Sequence, residues 1–237
     1  MTNIKWNKQF EYPTSTRALI DGKRHYDVGT EDKLPSVTTI LAATQSEEKK
    51  ASLAKWKERV GTEQANRIKD QAASRGTTMH KYLEGWLEDN YHIDLTDTGQ
   101  LAEKMAYQIY DQGLRGKLSE IYGSEVTLYY PGLYAGATDV VGIYDGCPSI
   151  VDFKQSNKPK RKEWIHDYGL QLAAYAMAHN YVYGTKITKG VNLICTKDLM
   201  FQKFEFEGEE FRKLQYEWLK RVDQYHEEVN KNVVSSE

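Results

Sequence analysis

The chain has little of several things that often reveal what a protein does. It holds only two cysteines, Cys147 and Cys195, among 237 residues, too few for a disulfide framework or for a four-cysteine zinc or iron–sulfur site. It has no excess of either charge: 32 Lys and Arg stand against 34 Asp and Glu, a formal net charge of −2 with a sequence pI near 6.3. This excludes the global basic signature that marks many nucleic-acid-binding domains, so a polyanionic partner must be held by a local patch or through bound metal. No apolar run approaches the length of a bilayer span, and the polar, aromatic segment 1–17 lacks the apolar centre of a signal peptide. There is no internal repeat and no low-complexity tract. These absences predict a soluble, intracellular protein in a reducing compartment, with length enough to bury a core in one domain.

What is present changes texture once along the chain. Residues 18–28 are two short strand-like runs around Asp21-Gly22 and predict a small opening hairpin. Ser36 or Thr38 offers a cap for a helix carrying Val37, Ile40 and Leu41, and Leu53, Trp56 and Val60 mark a second amphipathic stretch. Charged segments with apolar residues at helical spacing run from 62 to about 86 and from 98 to about 122. After Gly123 period-two patterning takes over in 125–130, 134–144 and 149–154, separated by Pro131-Gly132 and Asp145-Gly146, which predicts a three-stranded antiparallel meander. A helix from about 163 to 179, strands near 187–196 and 199–206, and a charged amphipathic helix from about 208 to 229 complete the reading. The expected fold is α/β, a central sheet flanked by helices with a helical N-terminal half. It forms a single unit over 1–237: a helical cover at 36–122, a core at 123–206 and a closing helix at 208–231.

The chemistry concentrates around one turn. Asp-Gly between apolar runs is a strong hairpin signal, because its type I′ geometry matches the twist of two antiparallel strands. With Asp145-Gly146 as the turn, Asp139 and Asp152 fall opposite each other, and Lys154 lies on their face one pair further along. Facing carboxylates destabilise a hairpin unless something positive lies between them. A divalent cation bridging the acids is the simplest relief, and it points to metal-dependent hydrolysis. An ordinary surface hairpin with two solvated acids is the plainer alternative. The acids share their face with Val141, Ile143 and Ile150, however, where isolated carboxylates are costly to bury.

The run Tyr134-Ala-Gly-Ala-Thr-Asp139, followed by Ile150-Val-Asp152-Phe-Lys154, resembles the active-site signature of the PD-(D/E)XK nuclease superfamily, with Thr138 where a proline is usual. Arg75-Gly76-Thr-Thr-Met-His80-Lys-Tyr-Leu-Glu84 resembles the Gly-x-x-x-His helix of RecB-like exonucleases, and Gln171-Leu-Ala-Ala-Tyr175 their Gln-x-x-x-Tyr motif. Tyr26, Ser36, Thr38 and Trp56 join these motifs in the order seen in phage exonucleases and mitochondrial genome maintenance exonucleases, a likeness covering roughly residues 17–206. Gln155 departs from the threonine frequent after the lysine.

The resemblance implies a restriction-endonuclease-like core and a DNA exonuclease acting at ends, preferentially on single strands threaded beneath the helical half. It implies Mg²⁺ or Mn²⁺ held by His80, Asp139 and Asp152, with the Phe153 carbonyl as an additional ligand, and no iron–sulfur cluster. Lys154 would prepare the water, Gln171 and Tyr175 position the phosphate, Tyr168 extend that surface, and Glu125 complete the metal shell or serve a second metal. Lys158, Lys160, Arg161 and Lys162, directly after the catalytic strand, are the expected DNA contacts, with Ser36 and Thr38 beside them. Replication or recombination proteins are the implied partners, in the cytoplasm, including that of a phage-infected host. A non-catalytic DNA-binding or recombination partner on the same fold, and an endonuclease, are the rival readings.

Overall fold

The computed structural model of the chain describes residues 4–31 and 33–234. In chain order its elements are β1 (Lys5–Trp6), β2 (Thr16–Ile20), β3 (Lys23–Asp27), β4 (Leu34–Pro35), α1 (Val37–Ala43), α2 (Glu47–Val60), α3 (Thr62–Leu87) and α4 (Asp97–Ile109). The second half follows as β5 (Leu118–Tyr130), β6 (Tyr134–Tyr144), β7 (Cys147–Ser156), α5 (His166–Tyr183), β8 (Lys189–Thr196), β9 (Phe201–Glu207) and α6 (Gly208–Val234). The turn at Asp145-Gly146 forms as expected, with φ of 46° and 76° at its two residues.

Six strands make a mixed sheet in the order β1-β5-β6-β7-β8-β9, and β2-β3-β4 form a separate small sheet. The meander β5–β6–β7 is antiparallel, while β8 runs parallel to β7 after the crossover through α5. Alternation along β6 and β7 sends successive side chains to opposite faces. Val141 and Ile150 join Leu170, Ala173, Phe211 and Trp218 beneath α5 and α6, whereas Val140, Val151 and Phe153 join Met79, Leu83, Met105 and Ile109 beneath α3 and α4. The sheet is thus covered on both faces, and the long helices α3 and α4 supply one of the two layers.

Two details depart from expectation. The helix anticipated to about Tyr122 gives way after α4 to a π-helical turn, Tyr110–Leu114, and Leu118 already belongs to β5. Leu118 and Ile121 fit either periodicity, but pairing with Tyr144 and Gly142 decides for strand, a tertiary override of local pattern. The edge strand β1, pairing in parallel with β5 through Lys5–Glu120 and Trp6–Ile121, is too short to leave a sequence pattern. Finally, α2 buries none of its residues, and it joins α3 through Gly61 at φ 83°, ψ 147°, a conformation open essentially to glycine.

Candidate active site

The β6–β7 ladder closes from Tyr144–Cys147 to Val140–Val151 and then opens. Asp139 and Asp152 therefore do not face each other inside an intact ladder, as the hairpin arithmetic anticipated. The strands fork, because the Phe153 N–H donates to Asp139 Oδ2 at 2.6 Å, so a carboxylate serves as its acceptor. On the other side of β6, the pairs Ser124–Val140 and Val126–Thr138 leave Glu125 opposite Asp139, with Glu125 at φ 50°. Asp152 is in register with Asn192 of β8. Glu125, Asp139, Asp152 and Asn192 thus form a polar row across four adjacent strands, an expensive arrangement that persists only if each charge is answered.

The answers come from one helix and one strand. His80, on α3, brings Nδ1 to 3.2 Å from Asp139 Oδ1 and 3.7 Å from Glu125 Oε1, while its Nε2–H donates to the Phe153 carbonyl at 2.9 Å. Burial alone would pull the imidazole down, but Asp139 and Glu125 outweigh it and hold His80 up to about 10. Burial acts to raise Asp139, yet His80, Lys154 and the Phe153 N–H outweigh it and keep that carboxyl below its ordinary range. Glu125 is raised, by burial first. Asp152 accepts from Lys154 Nζ at 2.8 Å and from Asn192 Nδ2 at 2.9 Å. Burial still pushes Asp152 up to about 6, while Asp152 and Asp139 overcome the burial of Lys154 and raise its ammonium.

One ligand atom from each of His80, Glu125 and Asp139 lies within 4.8 Å of the others. Two carboxylates converging on one imidazole are a donor set that fits a hard divalent cation, and such a cation would compete with the proton on His80. The tightest trio therefore includes Glu125, while Asp152 is turned toward Lys154 and Asn192, and the Phe153 carbonyl is taken by His80. Asn192 was not singled out from the sequence. The available signal was one amide in the otherwise apolar run Val191-Asn-Leu-Ile-Cys195, every residue of which is buried.

On the α5 face, Gln171 Nε2 donates to the Tyr175 hydroxyl at 3.0 Å, both side chains being buried, and Lys154 Nζ lies 5.3 Å from the centre of the Tyr168 ring. A β-carbon at Gly136 would stand 2.8 Å from Tyr175 Cε1, so the glycine ahead of Asp139 makes room for that ring. Past the end of β7, Trp56, Arg59, Lys158, Lys160, Tyr168 and Lys197 line a cavity of about 850 Å³. It shares Trp56, Arg59 and Lys160 with a second cavity of about 1110 Å³ beneath α2. Of the expected cations, Lys158 and Lys160 face this space, whereas Lys162 pairs with Glu210 at 2.7 Å and Arg161 with Glu163 at 3.9 Å. Ser36 is buried and caps α1 by accepting from the Thr39 N–H at 2.9 Å, and Thr38 is exposed beside it.

A mixed sheet flanked by helices, carrying a forked pair of acids, a lysine two residues beyond the second acid and a helical histidine, is similar in arrangement to the PD-(D/E)XK-like exonuclease group whose motifs the sequence resembles. No family model matches the chain. Mitochondrial genome maintenance exonuclease 1 of Mus musculus is 28% identical over 233 residues, covering 91% of this chain and 68% of its own. The protein of the same name from Homo sapiens is 27% identical over 214 residues, covering 86% and 62%. The counterpart from Xenopus tropicalis is 27% identical over 201 residues, covering 79% and 55%, so this chain spans between about half and two thirds of these relatives. A solved structure from Eubacterium rectale, described as a candidate exonuclease, superposes on 68% of this chain and 66% of its own with TM-score 0.49 and 16% identity, too loosely to carry an inference. The relatives and the acidic cluster together imply a divalent metal cofactor. Among the described residues no helix is long and apolar enough to cross a membrane.

Proposed function

We propose that the chain hydrolyses phosphodiester bonds from the ends of DNA, preferentially single-stranded, using Mg²⁺ or Mn²⁺, in DNA replication, recombination or repair in the cytoplasm. The observation that carries this reading is the His80–Glu125–Asp139 cluster set beside the Asp152–Lys154 pair, with a cation-lined cavity beginning at Gln155, the next residue of β7. The cluster would hold the divalent ion, which supplies charge neutralisation at the phosphate and a lowered pKa for water. Lys154 keeps its proton between two carboxylates, so its Nζ presents a fixed positive charge and a donor beside the reacting water. Gln171 and Tyr175, tied to each other, present a rigid amide and hydroxyl from α5 for orienting the phosphate. Lys158 and Lys160 offer backbone phosphates a path away from the site.

The test is incubation of the purified protein with end-labelled linear and circular single-stranded DNA, with Mg²⁺, with Mn²⁺ and with EDTA. Metal-dependent loss of label from linear strands alone is expected, abolished by Asp152→Ala and by Lys154→Ala. Absence of metal-dependent products, or full activity in both variants, overturns the enzyme reading. Cleavage of the circles replaces it with an endonuclease.

A further inference from the structure

Arg75 is 8% exposed, yet among the described residues no carboxylate lies within ion-pair distance of it. The other part-buried arginine on a helix of the core, Arg221, has Asp167 at 3.7 Å. Arg75 instead donates through Nε and Nη2 to Gln155 Oε1 at 3.1 and 2.7 Å, and through Nη2 to Asn157 Oδ1. Both acceptors are neutral amides, which fix the plane and direction of a guanidinium without cancelling its charge. Burial also acts against the charge of this guanidinium.

An uncompensated buried cation is costly, and it is most readily retained where a ligand brings the counter-charge. The surroundings point to that ligand. Arg75 lines the 850 Å³ cavity together with Arg59, Lys158, Lys160 and Lys197, and no acid among the described residues lines it. None of these cations, among the described residues, has a carboxylate partner. Gln155, the neutral tether, directly follows Lys154 on β7, so one strand end both delivers the lysine and aims the arginine. No hydrogen bond among the described residues uses Nη1, which leaves that edge of the fork to a further acceptor.

Resting on the nuclease reading, we propose that Arg75 binds a backbone phosphate of the substrate strand adjacent to the scissile one, with Gln155 and Asn157 as the residues that position its guanidinium. Such a contact is charge-assisted and geometrically specific, and each phosphate so neutralised steepens the salt dependence of single-strand binding by about 0.7 in the log–log slope.

The experiment is anisotropy of a labelled single-stranded oligonucleotide in Ca²⁺, uncleaved material being checked on a gel, across a salt series. A set of oligonucleotides carries one neutral methylphosphonate linkage at successive positions. Wild type should lose about tenfold in affinity at one linkage near the end. Arg75→Gln should bind the all-phosphate strand about tenfold more weakly, with the shallower salt slope, and show no further loss at that same linkage. Equal salt slopes and identical linkage profiles in the two proteins would reduce Arg75 to a brace between α3 and β7. If Arg75→Gln does not fold, the double variant Gln155→Thr with Asn157→Ala reads the same cycle, because it leaves the charge and removes both amides that aim it. A diminished loss at the one linkage supports the assignment, and an undiminished one overturns it. Failure of the wild type to bind any strand removes the nucleic-acid reading itself, and the role of Arg75 with it.

Discussion

At the scale of single residues, close approach and burial decide more than hydrogen bonds do. Gly136 lies where a methyl group would meet the Tyr175 ring at 2.8 Å and its hydroxyl oxygen at 3.1 Å. Gly136→Ala should therefore cost about 1–3 kcal/mol through overpacking and lower the melting temperature by several degrees. It should also reduce turnover, since Tyr175 must move; a variant with native melting and native turnover would show the ring to be free to shift. His179 makes a second case, remote from the acids. It is fully buried, its two nitrogens are within 3.1 Å of the Tyr12 hydroxyl and 2.8 Å of Thr185 Oγ1, and it packs edge-on to Phe10 with ring centroids 4.8 Å apart. Burial lowers it from 6.5 to about 4. Between those values the unfolded chain binds the proton and the folded chain does not. Stability from this group is therefore complete above pH 6.5 and declines as pH falls toward 4, by up to about 3 kcal/mol. Urea midpoints at pH 7 and pH 4.5 should diverge more in the wild type than in His179→Gln, and parallel profiles would exclude His179 as the source.

At the scale of elements, the meander, the α5 crossover and the two final strands were legible because turn chemistry and period-two patterning agree there, at Asp145-Gly146 and in 134–144. The members of the candidate trio were legible, but its geometry was not. Asp139, His80 and Glu125 all follow from motif resemblance, but the positive-φ backbone by which Glu125 reaches the cluster is not encoded in sequence spacing. The fork was hidden for a related reason: cross-strand arithmetic assumes that the backbone acceptor is used, and a side-chain carboxylate took its place. Asn192 escaped because it is a single amide in a run whose pattern says only buried strand. Among the described residues, α2 is the α-helix that buries none of its side chains, with Ser46 capping its start and a charged surface. Most helical stability in proteins comes from packing of an apolar face, so α2 should exchange its amide hydrogens orders of magnitude faster than the buried second half of α3. Added single-stranded oligonucleotide in Ca²⁺ should slow exchange in α2 selectively, whereas equal protection in α2 and α3 without DNA would show an anchor that the packing does not reveal.

At the scale of the whole molecule, the acidic row couples the site to the fold, because the carboxylates that would hold a cation, Glu125 and Asp139, sit on the adjacent central strands β5 and β6. A divalent ion at about 100 times its dissociation constant should add about 2.7 kcal/mol, raising the melting temperature by about 5–10 °C relative to EDTA. Glu125→Gln and Asp139→Asn should lose most of that rise in a thermal-shift measurement, and a full shift in both variants would place the ion elsewhere. The helical half announces its length in the sequence but not its attachment. Its helix α2 meets α3 at Gly61, which serves as the end of one and the start of the other and has nothing within 4 Å of the position a β-carbon would take, while Lys49 of α2 pairs with Asp167 of α5. The pitch of α2 is held at both ends, by Gly61 at one and at the other by the short 44–46 link to the partly buried α1 and the Lys49–Asp167 pair. Under the function proposed above, a substitution at position 61 would therefore alter how Trp56 and Arg59 of α2 border the cationic cavity while leaving the acids, the lysine and the histidine where they are.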